Sequence, residues 1–234
     1  MINYAHRGAS EYFPENTLRA FYAGLEMQAN GIETDIQRTK DGILVLHHDD
    51  TLTRIIGDHR PISECTYEEL LQMDFVIWRG KSFAGERIPT LETFLIHFGR
   101  RGLKLALEIK QIGIESDSIA LVNKFQCRND VVFTSFYWES IEAIRALDPL
   151  LCTGFLTDRI SSDILNKLER AGVQQICPRL DCVSESDMEI AKQRGFSVRF
   201  WGIRNEKDMH RAIQLKGDGM TCNFPDKLSA ALCL

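Results

Sequence analysis

Glu33 and Asp35 stand two residues apart in the run GIETDIQ (31–37), and Glu108 stands in a second apolar run, LKLALEIK (103–110). Side chains two apart on a strand project to the same side. Two ionised carboxylates ~4 Å apart repel by roughly 4 kcal/mol at an effective dielectric of 20, and a third acid adds to the repulsion. One divalent cation with a preference for oxygen ligands, Mg2+ or Ca2+, is the simplest way to keep all three ionised. The competing use of these acids is a salt-bridge network with Arg7 and Lys110.

Histidines supply the proton-transfer groups. His6 and Arg7 close the first apolar run, INYA (2–5), and His47-His48-Asp49 end the run ILVLHHD (43–49), which follows TKDG (39–42). Asp41-Gly42 reads as a two-residue hairpin loop, which sets Lys40 opposite Ile43. Counting outward, His48 falls opposite Asp35 and His47 opposite Ile36, and directly opposed residues share a face. His48 is therefore expected on the carboxylate side and His47 away from it. A slip of one residue would exchange them. Two imidazoles converging on an acidic cluster provide one general base and one general acid. Arg7 suits forked recognition of a phosphate, and Lys110 is a compact positive charge. Together these groups point to phosphoryl chemistry.

The elements that must position these groups alternate between short apolar runs and helical spacing. Apolar runs recur at 131–136, 150–156, 173–180, 196–203 and 218–224, with amphipathic segments near 15–30, 90–99, 116–126, 138–147, 161–171, 184–194 and 205–216. Ser140 or Glu139, Ser184 and Asn205 are expected as helix caps, and Gly172 and Gly195 as C-terminal stops. About eight strands, each followed by a helix, at this length predict an α/β (β/α)8 TIM barrel. An open doubly wound sheet is the competitor, but no G-x-G-x-x-G turn follows the first strand. Barrel active sites lie at the C-terminal ends of the strands, which is where His6, Glu33, Asp35, Glu108, Lys110 and Trp201 fall. Residues 50–89 interrupt the alternation. They read as a small insertion over one end of the barrel within a single domain spanning 1–234. Its TYEELLQM stretch forms one short helix, opened by a Thr66/Glu69 capping box.

Composition excludes other classes. The chain has 234 residues, 44% hydrophobic and 26% charged, with a net charge of −5. At this size roughly 70% of the unfolded surface is buried on folding, so a core forms without staples. A mildly acidic chain is a poor partner for nucleic acid. No basic segment followed by an apolar run opens the sequence, and no stretch reaches a membrane span, so a cytoplasmic location is expected. The seven cysteines are scattered, with no C-x-x-C pair, and read as reduced core residues. A homo-oligomer is compatible with the sequence.

The segments HRGAS (6–10), PENT (14–17), ETD (33–35), KDG…HHD (40–49), IPTLE (88–92), LEIK (107–110) and DGMTCNFPD (218–226) resemble the glycerophosphodiester phosphodiesterases, in order and across nearly the whole chain. The resemblance implies a TIM barrel with an insertion after its second strand. It also implies His6 and His48 as catalytic histidines, Glu33, Asp35 and Glu108 as ligands of one divalent cation, and Arg7 and Lys110 on the phosphate. Trp201 would line the glycerol side, and Glu15 and Asn16 either position the site or start a helix. The implied reaction yields glycerol 3-phosphate and an alcohol through a cyclic phosphate, with His6 expected as the first base. A lysophospholipid phosphodiesterase of lyso-phospholipase D type would share this site. It would need an apolar groove, for which Phe75, Ile77, Trp78 and Phe83 are available unless they form the insertion's own core.

Overall fold

Strands buried on both faces read as continuous apolar runs, and the sequence supplies eight of them. The structure, a computed structural model, describes residues 1–75, 80, 83 and 85–233. In chain order the elements are β1 (Ile2–His6), α1 (Leu18–Glu26), β2 (Gly31–Arg38), β3 (Leu44–Leu46), α2 (Thr53–Ile56), α3 (Tyr67–Leu71), α4 (Leu91–Phe98), β4 (Lys104–Ile109), α5 (Glu115–Lys124), β5 (Val131–Ser135), α6 (Trp138–Leu147), β6 (Cys152–Thr157), α7 (Ser162–Ala171), β7 (Gln175–Pro178), α8 (Glu185–Gln193), β8 (Ser197–Ile203), α9 (Glu206–Gln214), β9 (Gly219–Cys222) and α10 (Pro225–Leu232). Every strand but β3 joins one closed parallel sheet, in which β9 pairs back onto β1 and β1 onto β2. The fold is an eight-stranded α/β barrel with one added strand, β3, antiparallel on β2.

Helix boundaries follow local capping. Thr17, Thr90, Ser161, Ser184 and Asn205 each accept a backbone N–H of the first turn of the helix that follows. Thr66 and Glu69 make the reciprocal capping box of α3. Gly172 ends α7 with a left-handed φ of 68°. The expected Ser140 or Glu139 cap is absent: α6 follows Tyr137 without a side-chain cap, and the buried Ser140 hydroxyl instead donates to Glu115 at 2.6 Å. Its hydroxyl ties α6 to α5 and is not free to cap.

The hairpin differs from expectation. Ile36 pairs with Leu46 and Arg38 with Leu44, so Thr39 faces Ile43 across a three-residue loop. Gly42 takes φ 89° there, the left-handed position such a loop requires. Beyond β3, the segment leading to α4 builds its own core from Val45, Leu52, Ile55, Ile62, Cys65, Leu70, Phe75 and Ile88. It carries a second helix, α2, that periodicity did not reveal. Phe75 is used in that core, and Phe83 lies against Phe13 at 5.9 Å and under Arg19. Ile77 and Trp78 lie outside the described residues.

Gly8 fixes how α1 docks beneath the first strand. Its φ is 83°, and an added methyl would overlap the backbone of Ala20. Gly8→Ala is expected to destabilise the chain by about 3 kcal/mol or more, from strain plus overpacking. Urea unfolding measures this. A change under about 1 kcal/mol, the scale of a tolerated volume swap, would mean that α1 simply moves away.

Candidate active site

The first strand delivers His6 and Arg7 to the barrel mouth through an unusual backbone. Arg7 has φ 55°, and so does Asn16. Left-handed conformations at residues other than glycine cost about 1–3 kcal/mol and persist where neighbours over-determine them. Here Arg7 N donates to Glu33 O at 2.9 Å, and Asn16 N donates to Arg7 O at 2.9 Å. The PENT segment is thereby folded against the site. Thr17 starts α1, Asn16 Nδ2 donates to Asp35 Oδ2 at 3.0 Å, and Glu15 accepts from Arg7 Nη1 at 3.0 Å. Helix start and site contacts are therefore divided among adjacent residues.

The three acids meet. β2 pairs with β4 so that Asp35 lies beside Glu108. One carboxylate oxygen from each of Glu33, Asp35 and Glu108 lies within 4.8 Å of the others, and all three residues are buried. Burial first, then Asp35 and Glu108, pushes Glu33 well above the usual carboxylate range. Burial and Asp35 push Glu108 up to about 7. Against its own burial, the Arg7 guanidinium, Lys110 and the Asn16 hydrogen bond hold Asp35 below its usual range. Asp35 Oδ1 is buried with no hydrogen-bond partner. A buried, unpaired carboxylate oxygen facing two further acids fits a divalent oxygen-seeking cation. The salt-bridge alternative is only partly realised. Arg7 Nε sits 3.2 Å from Asp35 Oδ2 without its N–H lining up on the oxygen, and Lys110 Nζ lies 3.2 Å from Glu108 Oε1.

Both histidines line one cavity of about 300 Å³, together with Arg7, Glu33, Glu108, Phe136, Arg199 and Trp201. His6 Nδ1 meets Asn223 Oδ1 at 2.5 Å, so that nitrogen donates and Nε2 faces the acids, 3.8 Å from Glu33 Oε2. Burial and the Arg7 charge hold His6 well below the usual imidazole range, in its neutral form. His48 Nδ1 meets Asp49 Oδ1 at 2.7 Å. Because a carboxylate only accepts, Nδ1 donates and Nε2 is the nitrogen left for the cavity. By register His47, not His48, falls opposite Asp35, since His47 N donates to Asp35 O at 3.1 Å. Yet His47 packs edge-on to Phe75. β3 stops at Leu46, so strand alternation no longer governs positions 47 and 48. Gln37 Nε2 fixes this turn instead, donating to the carbonyls of His47 and Asp49 at 2.9 and 2.7 Å.

Trp201 reaches the cavity where the β8–β9 register shifts between Phe200 and Ile203; bulges re-aim side chains in this way. Its Nε1 donates to the carbonyls of Thr157 and Cys177, both at 3.1 Å, and its ring stands edge-on to Phe136 at 5.3 Å. Lys110 contacts Glu108 but does not line the cavity. Sequence reasoning missed Asn223, Phe136, Gln37 and Arg199. Arg199 is fully buried in the barrel, donating to Gln175 at 3.1 Å and Thr221 at 2.7 Å. Its signal was present: it stands two before Trp201, which in an unbroken strand places both on one face.

The model of the glycerophosphoryl diester phosphodiesterase family matches residues 6–227. A glycerophosphodiester phosphodiesterase of Caldanaerobacter subterraneus is 32% identical, covering 96% of this chain and 94% of its own length. One from Bacillus subtilis is 28% identical over 97% of this chain and 84% of its own. Among solved structures, an Oleispira antarctica phosphodiesterase in complex with the product sn-glycerol-3-phosphate superposes with a TM-score of 0.90. It is 26% identical and covers 100% of this chain and 97% of its own. With strands β2 to β9, the acid cluster, His6 and His48 inside the matched residues, this chain belongs to the glycerophosphoryl diester phosphodiesterase family.

Proposed function

We propose that the chain hydrolyses glycerophosphodiesters to glycerol 3-phosphate and an alcohol. The observation that carries this reading is one cavity lined by both histidines, Arg7, Glu33 and Glu108, with Asp35 completing the buried acid cluster beside it. The product bound by the Oleispira relative supports the same substrate class. Glu33, Asp35 and Glu108 would hold one divalent cation, Mg2+ or Ca2+, which when bound supplies positive charge against the phosphoryl group. His6, neutral and with Nε2 free, takes the proton of the glycerol 2-hydroxyl as that oxygen attacks phosphorus. His48 protonates the departing alcohol. Arg7 in the cavity, and Lys110 behind it on Glu108, offset the charge that builds on the phosphoryl oxygens. A cyclic phosphate results, and its hydrolysis reverses the two histidine roles. Trp201 and Phe136 flank the glycerol.

We assign residues 50–89 as an insertion within one catalytic domain, and place the chain in the cytoplasm. Among the described residues no helix is long and apolar enough to cross a membrane. The lysophospholipid alternative draws no support from Phe75 or Phe83, which are engaged in packing. Glycerophosphocholine is expected to be turned over with kcat/KM at least about 100-fold above lysophosphatidylcholine, about 2.7 kcal/mol of discrimination. Assaying both at matched concentration decides it, and a preference for the lysolipid would overturn the assignment.

A further inference from the structure

His48 lies past the end of β3, and the Gln37 amide ties the carbonyls on either side of it, those of His47 and Asp49. Its ring is steered by Asp49, whose other oxygen accepts from Arg54 Nε at 2.6 Å. Arg54 then turns its two remaining nitrogens onto Glu15, at 2.8 Å to Oε2 and 2.7 Å to Oε1. Glu15 also accepts from Arg7, which pairs with Asp35. One guanidinium on the short helix α2 thus completes a chain of alternating charges from the His48 ring to the acid cluster. Leu52 and Ile55, on either side of Arg54, are buried in the small core beside the barrel, so α2 is anchored while Arg54 reaches across. The planar fork of arginine serves a bidentate carboxylate and a second acceptor together, which a lysine ammonium does not reproduce.

We propose that Arg54 is a positioning residue, holding the His48–Asp49 pair at a fixed place relative to Arg7 and the acid cluster. This rests on the phosphodiesterase reading above. The link is partly exposed, and exposed ion pairs add little to stability. Its removal should therefore appear in the rate and not in the melting temperature.

The test compares Arg54→Ala and Arg54→Lys with wild type and with His48→Ala, using glycerophosphocholine. Arg54→Ala is expected to lower kcat by about 10–100-fold, the range for residues that orient a reacting group, with KM within about threefold and the melting temperature within about 3 °C. Arg54→Lys is expected to recover only part of the loss. In a His48→Ala background, adding Arg54→Ala should lower kcat by less than about threefold, because residues acting as a unit are not additive. An unchanged kcat in Arg54→Ala, or a full additional loss in the His48→Ala background, would overturn the proposal. Nitrogen NMR of the His48 ring is read in parallel: the hydrogen-bonded Nδ1–H signal should weaken in Arg54→Ala and persist in wild type. If wild type turns over no glycerophosphodiester, the phosphodiesterase reading fails, and an Nδ1–H signal unchanged by Arg54→Ala would sink the Arg54 proposal separately. Should Arg54→Ala not fold, Arg54→Lys carries both readouts.

Discussion

Stripping divalent cations with EDTA is expected to lower turnover of a glycerophosphodiester by about 10³-fold, and Mg2+ or Ca2+ is expected to restore it. The magnitude follows from several kcal/mol of charge stabilisation at the phosphoryl group, each 1.36 kcal/mol being about tenfold. Glu33→Gln, Asp35→Asn and Glu108→Gln should each lose comparable activity that added cation does not restore. The same site predicts a stability signature that needs no substrate. Without a cation, Glu108 titrates at about 7 in the folded chain, against ~4.3 in an unfolded one. Between those values the folded state binds more protons than the unfolded state, so metal-free stability falls as pH rises through that window. Glu33 is shifted in the same direction. Asp35 is shifted the other way, so its contribution is full above its unfolded value and is lost only in strong acid. Saturating cation at about 100 times its Kd adds roughly 2.7 kcal/mol, or about 5–10 °C in melting temperature for a chain of this size. At pH 8, metal-free Glu108→Gln should melt above metal-free wild type, because one repelling charge is gone. Equal melting temperatures with and without cation in wild type would remove the ion from the scheme.

The barrel was legible because its parallel strands are buried on both faces and so stand out as apolar runs between capped amphipathic helices. The identity of the acid cluster was legible for the same reason. Three carboxylates in otherwise apolar runs outnumber the two cations, Arg7 and Lys110, offered to pair with them, and the in-register pairing of Asp35 with Glu108 is what a parallel neighbour strand gives. The hairpin register was not legible. Asp41-Gly42 signals a two-residue turn, but Asp41 is recruited elsewhere: its carboxylate accepts from Thr39 Oγ1 at 2.6 Å and from Tyr67 N at 3.0 Å. Lys40 N is also taken, donating to Cys65 O at 2.9 Å. The Tyr67 and Cys65 contacts come from residues more than twenty positions on, and they select the three-residue loop. His48 nevertheless lines the cavity, because β3 ends before it and Gln37 sets the turn. Sequence logic arrived at that residue through a register the molecule does not use. Asn223 and Arg54 were invisible for a simpler reason: their value lies in a hydrogen bond to another side chain, which no spacing along the chain encodes.

His6→Ala and His48→Ala are each expected to lower kcat on glycerophosphocholine by about 10²–10⁴-fold, the range for a positioned general acid or base. The leaving group separates their roles. His6 presents a neutral ring, with Nδ1–H given to Asn223 and Nε2 turned to the acids; a free lone pair there suits the base. His48 is held by the Asp49 carboxylate, the partner suited to a ring that carries a proton to the alcohol. From an ester of glycerol phosphate with p-nitrophenol, the departing p-nitrophenolate needs no protonation, so this substrate bypasses the acid but not the base. On that ester His48→Ala should fall within about tenfold of wild type, while His6→Ala keeps its full loss, the missing contribution being one proton transfer only. Asn223→Ala should follow His6→Ala in direction on both substrates, by about 10–100-fold, because it frees the ring to turn or to exchange its protonated nitrogen. Recovery in His6→Ala with none in His48→Ala would reverse the assignment of base and acid. Full activity of either variant on the choline ester would remove that histidine from the reaction.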